Sequence, residues 1–77
     1  MNSSLTFGFT YRGYDVMIIG YQIEEGWRMA LELRCGADVE LIRDTSTVYP
    51  DFVSLRSMGI WQAHLKIARK TDAHSSA

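Results

Sequence analysis

A chain of 77 residues forms one domain at most, and a domain this short buries only about 60 to 65% of the surface its unfolded form exposes. With 47% hydrophobic and 12% aromatic residues it is too apolar for a disordered segment, and one cysteine excludes an internal disulfide. The net charge of −1 divides into four Lys/Arg against seven Asp/Glu over residues 1–50 and four against two over residues 51–77, which is not the basic field that dominates nucleic-acid binding.

Residues 1–4 read as a fraying terminus, and the N-terminal stretch Met1 to Phe7 is expected not to be a signal peptide, since it lacks the basic region and long apolar segment of one. The longest aliphatic run is Val16-Met17-Ile18-Ile19, so the expectation is a soluble, cytoplasmic protein with no membrane span.

Leu5, Phe7, Phe9 and Tyr11 alternate with Thr6, Gly8, Thr10 and Arg12, the two-residue period of a half-buried strand over about 5–11. Arg12-Gly13 then reads as a tight hairpin turn, because glycine accepts the positive φ that two-residue turns require. A second strand covers about 14–23. After the polar turn Glu24-Glu25-Gly26, the residues Trp27, Met29, Leu31, Leu33 and Cys35 alternate with Arg28, Ala30, Glu32 and Arg34, the clearest strand signal in the chain, over 27–35. Gly36-Ala37-Asp38 supplies the next turn, and a shorter strand over 39–43 places Val39 and Leu41 on one face.

Asp44-Thr45-Ser46-Thr47 is a loop by composition, and Pro50 pushes Tyr49 towards an extended conformation. The apolar period changes after Pro50. Leu55, Met58, Trp61, Leu65 and Ala68 follow the spacing of one helical stripe and predict a helix over about 54–70 lying on the sheet. Ser54 is the preferred N-cap, with Val53 and Met58 as a hydrophobic staple; Asp51 is the alternative and would add a turn. Gly59, beside the stripe, points to a close approach of the helix backbone to the sheet or to Trp27. Residues 71–77 read as a flexible polar tail.

The expected architecture is a single α+β domain, a four-stranded antiparallel β-meander with one C-terminal helix packed on one face. Its expected core is Phe7, Phe9, Val16, Ile18, Trp27, Met29, Leu31, Leu33, Leu41, Leu55, Met58, Trp61 and Leu65. The second strand is apolar on both faces, with Tyr14, Val16 and Ile18 on one and Met17, Ile19, Tyr21 and Ile23 on the other. One helix covers one face of a small sheet, so the latter four form an uncovered strip of the kind that marks association surfaces. The opposing reading is a β-bulge near Gly20, or a curled sheet, that buries both faces.

No residue pattern here meets the demands of a known chemistry. Cys35 would be nucleophilic only beside a base or positive field, and nothing in the spacing brings His64 to it. His64 and His74 are not at metal-ligand spacing, and the paired Glu24 and Glu25 sit in a solvated turn rather than a shielded acid/base site. There is no glycine-rich phosphate loop or serine elbow. The sequence thus predicts neither metal, cofactor nor catalysis. It predicts an accessory module that binds a protein partner or a second copy of itself through Met17, Ile19, Tyr21 and Ile23. The alternative is weak nucleic-acid binding through a basic helix face of Arg56, Lys66, Arg69 and Lys70.

The segment Phe9-Thr10-Tyr11-Arg12-Gly13-Tyr14-Asp15-Val16, Trp27 at a strand start, and the helix pattern Ser54, Met58-Gly59, Ala63, Ile67 resemble a loose set of short uncharacterised bacterial α+β proteins. These combine an aromatic hairpin, a tryptophan strand and one C-terminal helix. The resemblance runs from Phe7 to about Ile67 and rests on structural residues, so it implies a fold and transfers no site. The strand order followed by a helix is also similar to double-stranded-RNA-binding domains, but the N-terminal helix and the lysine cluster at the helix start are missing, with only Arg56 there.

Overall fold

The alternation along Trp27 to Cys35 organises the molecule, because its large apolar side chains demand a cover on one face only. In the structure, a computed structural model that describes residues 3–75, with the side chains of residues 45 and 72–75 outside the description, that cover is a helix. Four strands, β1 (Ser4–Tyr11), β2 (Tyr14–Ile23), β3 (Gly26–Cys35) and β4 (Asp38–Tyr49), form an antiparallel sheet in the order β1-β2-β3-β4. The helix α1 (Phe52–Ser75) follows. The fold is α+β, and the meander is as the sequence implies.

The β1–β2 turn closes on the pair Tyr11↔Tyr14, with Arg12 at φ 51° and Gly13 at φ 82°. Both central residues are left-handed, as in the hairpin turn whose twist matches the strands. Glycine takes this conformation freely and Arg12 does not. The Arg12 guanidinium is held over the Tyr11 ring at 5.4 Å and donates to Thr71 Oγ1 at 3.1 Å.

The register of β2 with both neighbours runs unbroken through Gly20, so the bulge considered above does not occur. Val16, Ile18 and Gly20 face the helix and are buried. Phe52 and Trp27 pack where Gly20 lacks a side chain: a β-carbon there would lie 2.8 Å from Phe52 Cδ1.

β4 is longer than the expected 39–43. Its pairing passes from Met29↔Asp44 to Trp27↔Tyr49, so it meets β3 in two segments separated by extra residues. The loop expected at 44–47 is this bulge. Asp44 Oδ1 accepts from Ser46 N at 3.1 Å, Ser46 Oγ at 2.9 Å and Thr47 N at 3.3 Å, while Tyr49 OH donates to Oδ2 at 3.4 Å. The chain therefore returns to the sheet at Tyr49, which is buried.

Three expectations for the helix are corrected. Its N-cap is Asp51, not Ser54: Asp51 Oδ1 accepts from Ser54 N at 2.8 Å, and Leu55 N donates to Asp51 O at 3.3 Å. A carboxylate at this position satisfies an unpaired N–H and complements the positive end of the helix dipole, which the Ser54 hydroxyl does less well. At the other end the helix continues through Ser75 instead of fading at Lys70, since no glycine or proline follows to stop it. Thr71 Oγ1, 3.1 Å from the carbonyls of Ile67 and Ala68, stays within the turn. Of the expected flexible ends, residues 1–2 and 76–77 lie outside the described residues, whereas Ser4 is in β1 and Ser3 O accepts from Gln22 N at 2.8 Å.

The third correction concerns the stripe. Leu55, Gly59, Ala63 and Ile67 face the sheet and are buried, not Met58, Trp61 and Leu65. Small side chains let the helix settle close to β2 and β3. A β-carbon at Gly59 would stand 3.0 Å from Ile18 Cδ1 and from Met29 Sδ. The core thus unites Val16, Ile18, Met29, Leu31, Leu33, Tyr49, Leu55, Ala63 and Ile67, with Phe7, Phe9, Tyr11, Tyr14, Trp27, Ile42, Phe52 and Ile60 packed around it. Each large aliphatic side chain fully withdrawn from water contributes about 1.5–3 kcal/mol.

Leu41 is also not in the core. Leu31, on the helix side of β3, pairs with Ile42, and Glu32, on the outer side, pairs with Leu41. Paired residues share a face, so Val39 and Leu41 point away from the helix.

Candidate interaction surfaces

Among the described residues two apolar surfaces remain uncovered, one on the sheet and one on the helix. The first is the outer face of the sheet. Because Val16, Ile18 and Gly20 take the inner face, Met17, Ile19, Tyr21 and Ile23 take the outer one; Met17 and Tyr21 are exposed, Ile19 and Ile23 half-buried. Across the sheet, Gly8, Met17, Glu32 and Leu41 form one row, and Thr6, Ile19, Ala30 and Arg43 form the next. Gly8 leaves space that Met17 leans over, with its Cε 3.6 Å from where a β-carbon would be. Ala30 is fully covered by its neighbours, so the floor of the face is closed and its relief comes from the side chains around it.

The apolar strip extends to Val39 and Leu41, each more than half exposed, and is crossed by charge. Arg34 and Glu32 form an ion pair at 3.0 Å beside Met17, and a shallow depression of about 210 Å³ lies between Asp15, Met17, Glu32 and Arg34. The result is an apolar patch with charged walls.

The second surface is the outer side of α1. Met58, Trp61 and Leu65 are 39%, 59% and 36% exposed, and Val53 is 60% exposed at the first turn. On periodicity alone Met58, Trp61 and Leu65 read as core. The available signal was that Leu55, Gly59, Ala63 and Ile67, spaced by four, make a second stripe on the opposite side. A helix apolar on both sides has more to bury than one sheet can cover.

The four cations of the proposed basic face are not brought together. Arg56 turns to the sheet, its guanidinium 5.3 Å above the Phe7 ring, and Lys70 Nζ reaches Glu40 Oε1 at 2.6 Å. The expected basic face is therefore divided, with Arg56 and Lys70 engaged by sheet residues. The hydrogen bond and charge of Glu40 hold the Lys70 ammonium above its ordinary range. Lys66 and Arg69 flank the outer stripe.

His64 stacks on Tyr11 with ring centroids 4.0 Å apart and meets Phe9 edge-on at 5.8 Å. It is thus placed over β1, whereas Cys35 ends β3, on the far side of β2. The side chain of His74 lies outside the described residues. Among the described residues no three His, Cys, Asp or Glu converge as metal ligands, and no helix is long and apolar enough to cross a membrane.

Comparison with protein-family models, with curated proteins and with solved structures yields no match for this chain.

Proposed function

We propose that this domain is a non-catalytic binding module that receives a protein partner on the outer face of its sheet. The observation that carries this reading is the uncovered strip Met17, Ile19, Tyr21 and Ile23, continued by Val39 and Leu41 on the side away from the helix. Exposed apolar patches rimmed by charge are characteristic of association surfaces, because water is released from the patch while the rim fixes orientation. The separation of His64 from Cys35 supports a binding role over thiol chemistry. Cytoplasmic placement is part of the same proposal.

The test is quantitative capture from native extract at physiological salt, comparing wild type with Met17→Lys and Ile19→Lys baits whose folding is verified by circular dichroism. A partner retained by wild type and lost by both folded variants supports the reading. Equal recovery on all three baits would remove the sheet face from consideration.

A further inference from the structure

From the second surface we infer that two copies of this chain associate through α1, with the helices antiparallel and Trp61 of each packed beside Met58 of the other. The inference is independent of the sheet face, which such a dimer leaves open on both sides.

The helix repeats every 3.6 residues, so positions eighteen apart are separated by five whole turns and lie on the same side. Asp51 and Arg69 are such a pair, and they flank the stripe on the side of Met58 and Leu65. Their midpoint is residue 60. A two-fold axis there sets Asp51 level with Arg69 of the second copy and brings Ser54 within one residue's rise of Leu65 and Met58 within one residue's rise of Trp61.

The relief fits this pairing. Ser54, Ser57, Met58 and Trp61 line a shallow apolar depression of about 390 Å³, and Trp61, Gln62, Leu65, Lys66 and Arg69 line another on the far side of the indole. Trp61 is the protrusion between them, and the small Ser54 and Ser57 side chains leave room for its symmetry mate. Charge chooses the direction. Antiparallel packing brings the exposed Asp51 carboxylate to Arg69 of the other copy, while parallel packing sets Arg69 against Arg69. Helix dipoles favour the same choice.

Three large side chains on each helix bury less than the roughly 1,200 Å² typical of stable complexes, so the dimer is weak. Sedimentation equilibrium over a wide concentration range should show a monomer–dimer equilibrium for wild type. Trp61→Ala and Arg69→Glu should each raise the dissociation constant at least tenfold, and Ile19→Lys should leave it within about twofold. Mixing Arg69→Glu with Asp51→Arg, the latter first shown by circular dichroism to keep its helix without the Asp51 cap, should restore association, since both cross-chain pairs are then of opposite sign. In a Cys35→Ser background, mild oxidation should link Ser54→Cys to Leu65→Cys in a mixture, more readily than Ser54→Cys to itself. Wild type that remains monomeric throughout, association unaffected by Trp61→Ala, loss on Ile19→Lys, failure of the charge-swapped mixture, or preferential Ser54→Cys self-linkage would each overturn the inference.

Discussion

Gly59 lies against Ile18 so closely that a β-carbon on the helix would come within 3.0 Å of both Ile18 Cδ1 and Ile18 Cγ2. This contact fixes the rotation of α1 on the sheet and thereby decides which of its two apolar stripes is buried. Ile18 Cδ1 and Met29 Sδ belong to side chains that can turn, but Ile18 Cγ2 is fixed on the β-carbon of a buried strand residue, so in Gly59→Ala the crowding should cancel the gain in helix propensity of up to about 1 kcal/mol. Gly59→Leu has no such accommodation and should cost about 1–3 kcal/mol in urea denaturation. An unchanged midpoint for Gly59→Leu would mean that the helix does not sit as described.

The same rotation predicts opposite behaviour for two large residues six positions apart. Ile67 is fully buried and Trp61 is 59% exposed. At concentrations where the chain is monomeric, Ile67→Ala should lose about 2–5 kcal/mol to transfer and cavity terms. Trp61→Ala should stay within about 0.5 kcal/mol of wild type. Reversal of that order would put the originally expected stripe back in the core.

Capping gives a third contrast. Asp51 accepts the Ser54 N–H, and this bond is what holds its carboxyl below the ordinary range. Asp51→Ala should therefore destabilise the helix, whereas Ser54→Ala should be nearly silent. Thermal unfolding of the two variants at neutral pH separates them, and a larger loss for Ser54→Ala would restore the shorter helix.

Asp44 supplies a pH dependence. Partial burial pushes its carboxyl upward, but hydrogen bonds from Ser46, Thr47 and Tyr49 outweigh this and hold it below its ordinary value of 3.8. The Tyr49 phenol moves the other way, raised by its own burial and by the Asp44 charge. A depressed folded-state value means that the contribution of Asp44 is full above pH 3.8 and is lost as pH falls through the lower folded value. Asp44→Asn should be less stable than wild type by about 0.5–1.5 kcal/mol at neutral pH. That difference should shrink as acid titrates wild type and should vanish below the folded value. A difference independent of pH would show that the charge is irrelevant to the bulge.

The sheet was largely legible because two-residue alternation and turn glycines are local signals that tertiary packing rarely overrides. β2 and β3 begin and end within a residue of expectation, and the outward placement of Met17, Ile19, Tyr21 and Ile23 follows from parity once Val16 and Ile18 are core. The helix face was not legible in the same way. Met58, Trp61 and Leu65 satisfy the helical period as well as Gly59, Ala63 and Ile67 do, and size argues for the first set. Proximity to the sheet selects the second, since only small side chains permit it. Leu41 reads as core for a related reason: Val39 and Leu41 are the apolar pair of their short strand, and only the pairing of Leu41 with Glu32 and of Ile42 with Leu31 turns that pair away from the helix.

The central claim is that the sheet face opposite the helix is where this domain meets its partner. Amide and methyl chemical-shift mapping of the labelled domain, titrated with the protein recovered by capture, tests it most directly. Perturbations should cluster at Met17, Ile19, Tyr21, Val39 and Leu41 and leave Leu55, Ala63 and Ile67 unmoved. Shifts confined to Met58, Trp61 and Leu65, or to Lys66 and Arg69, would contradict it.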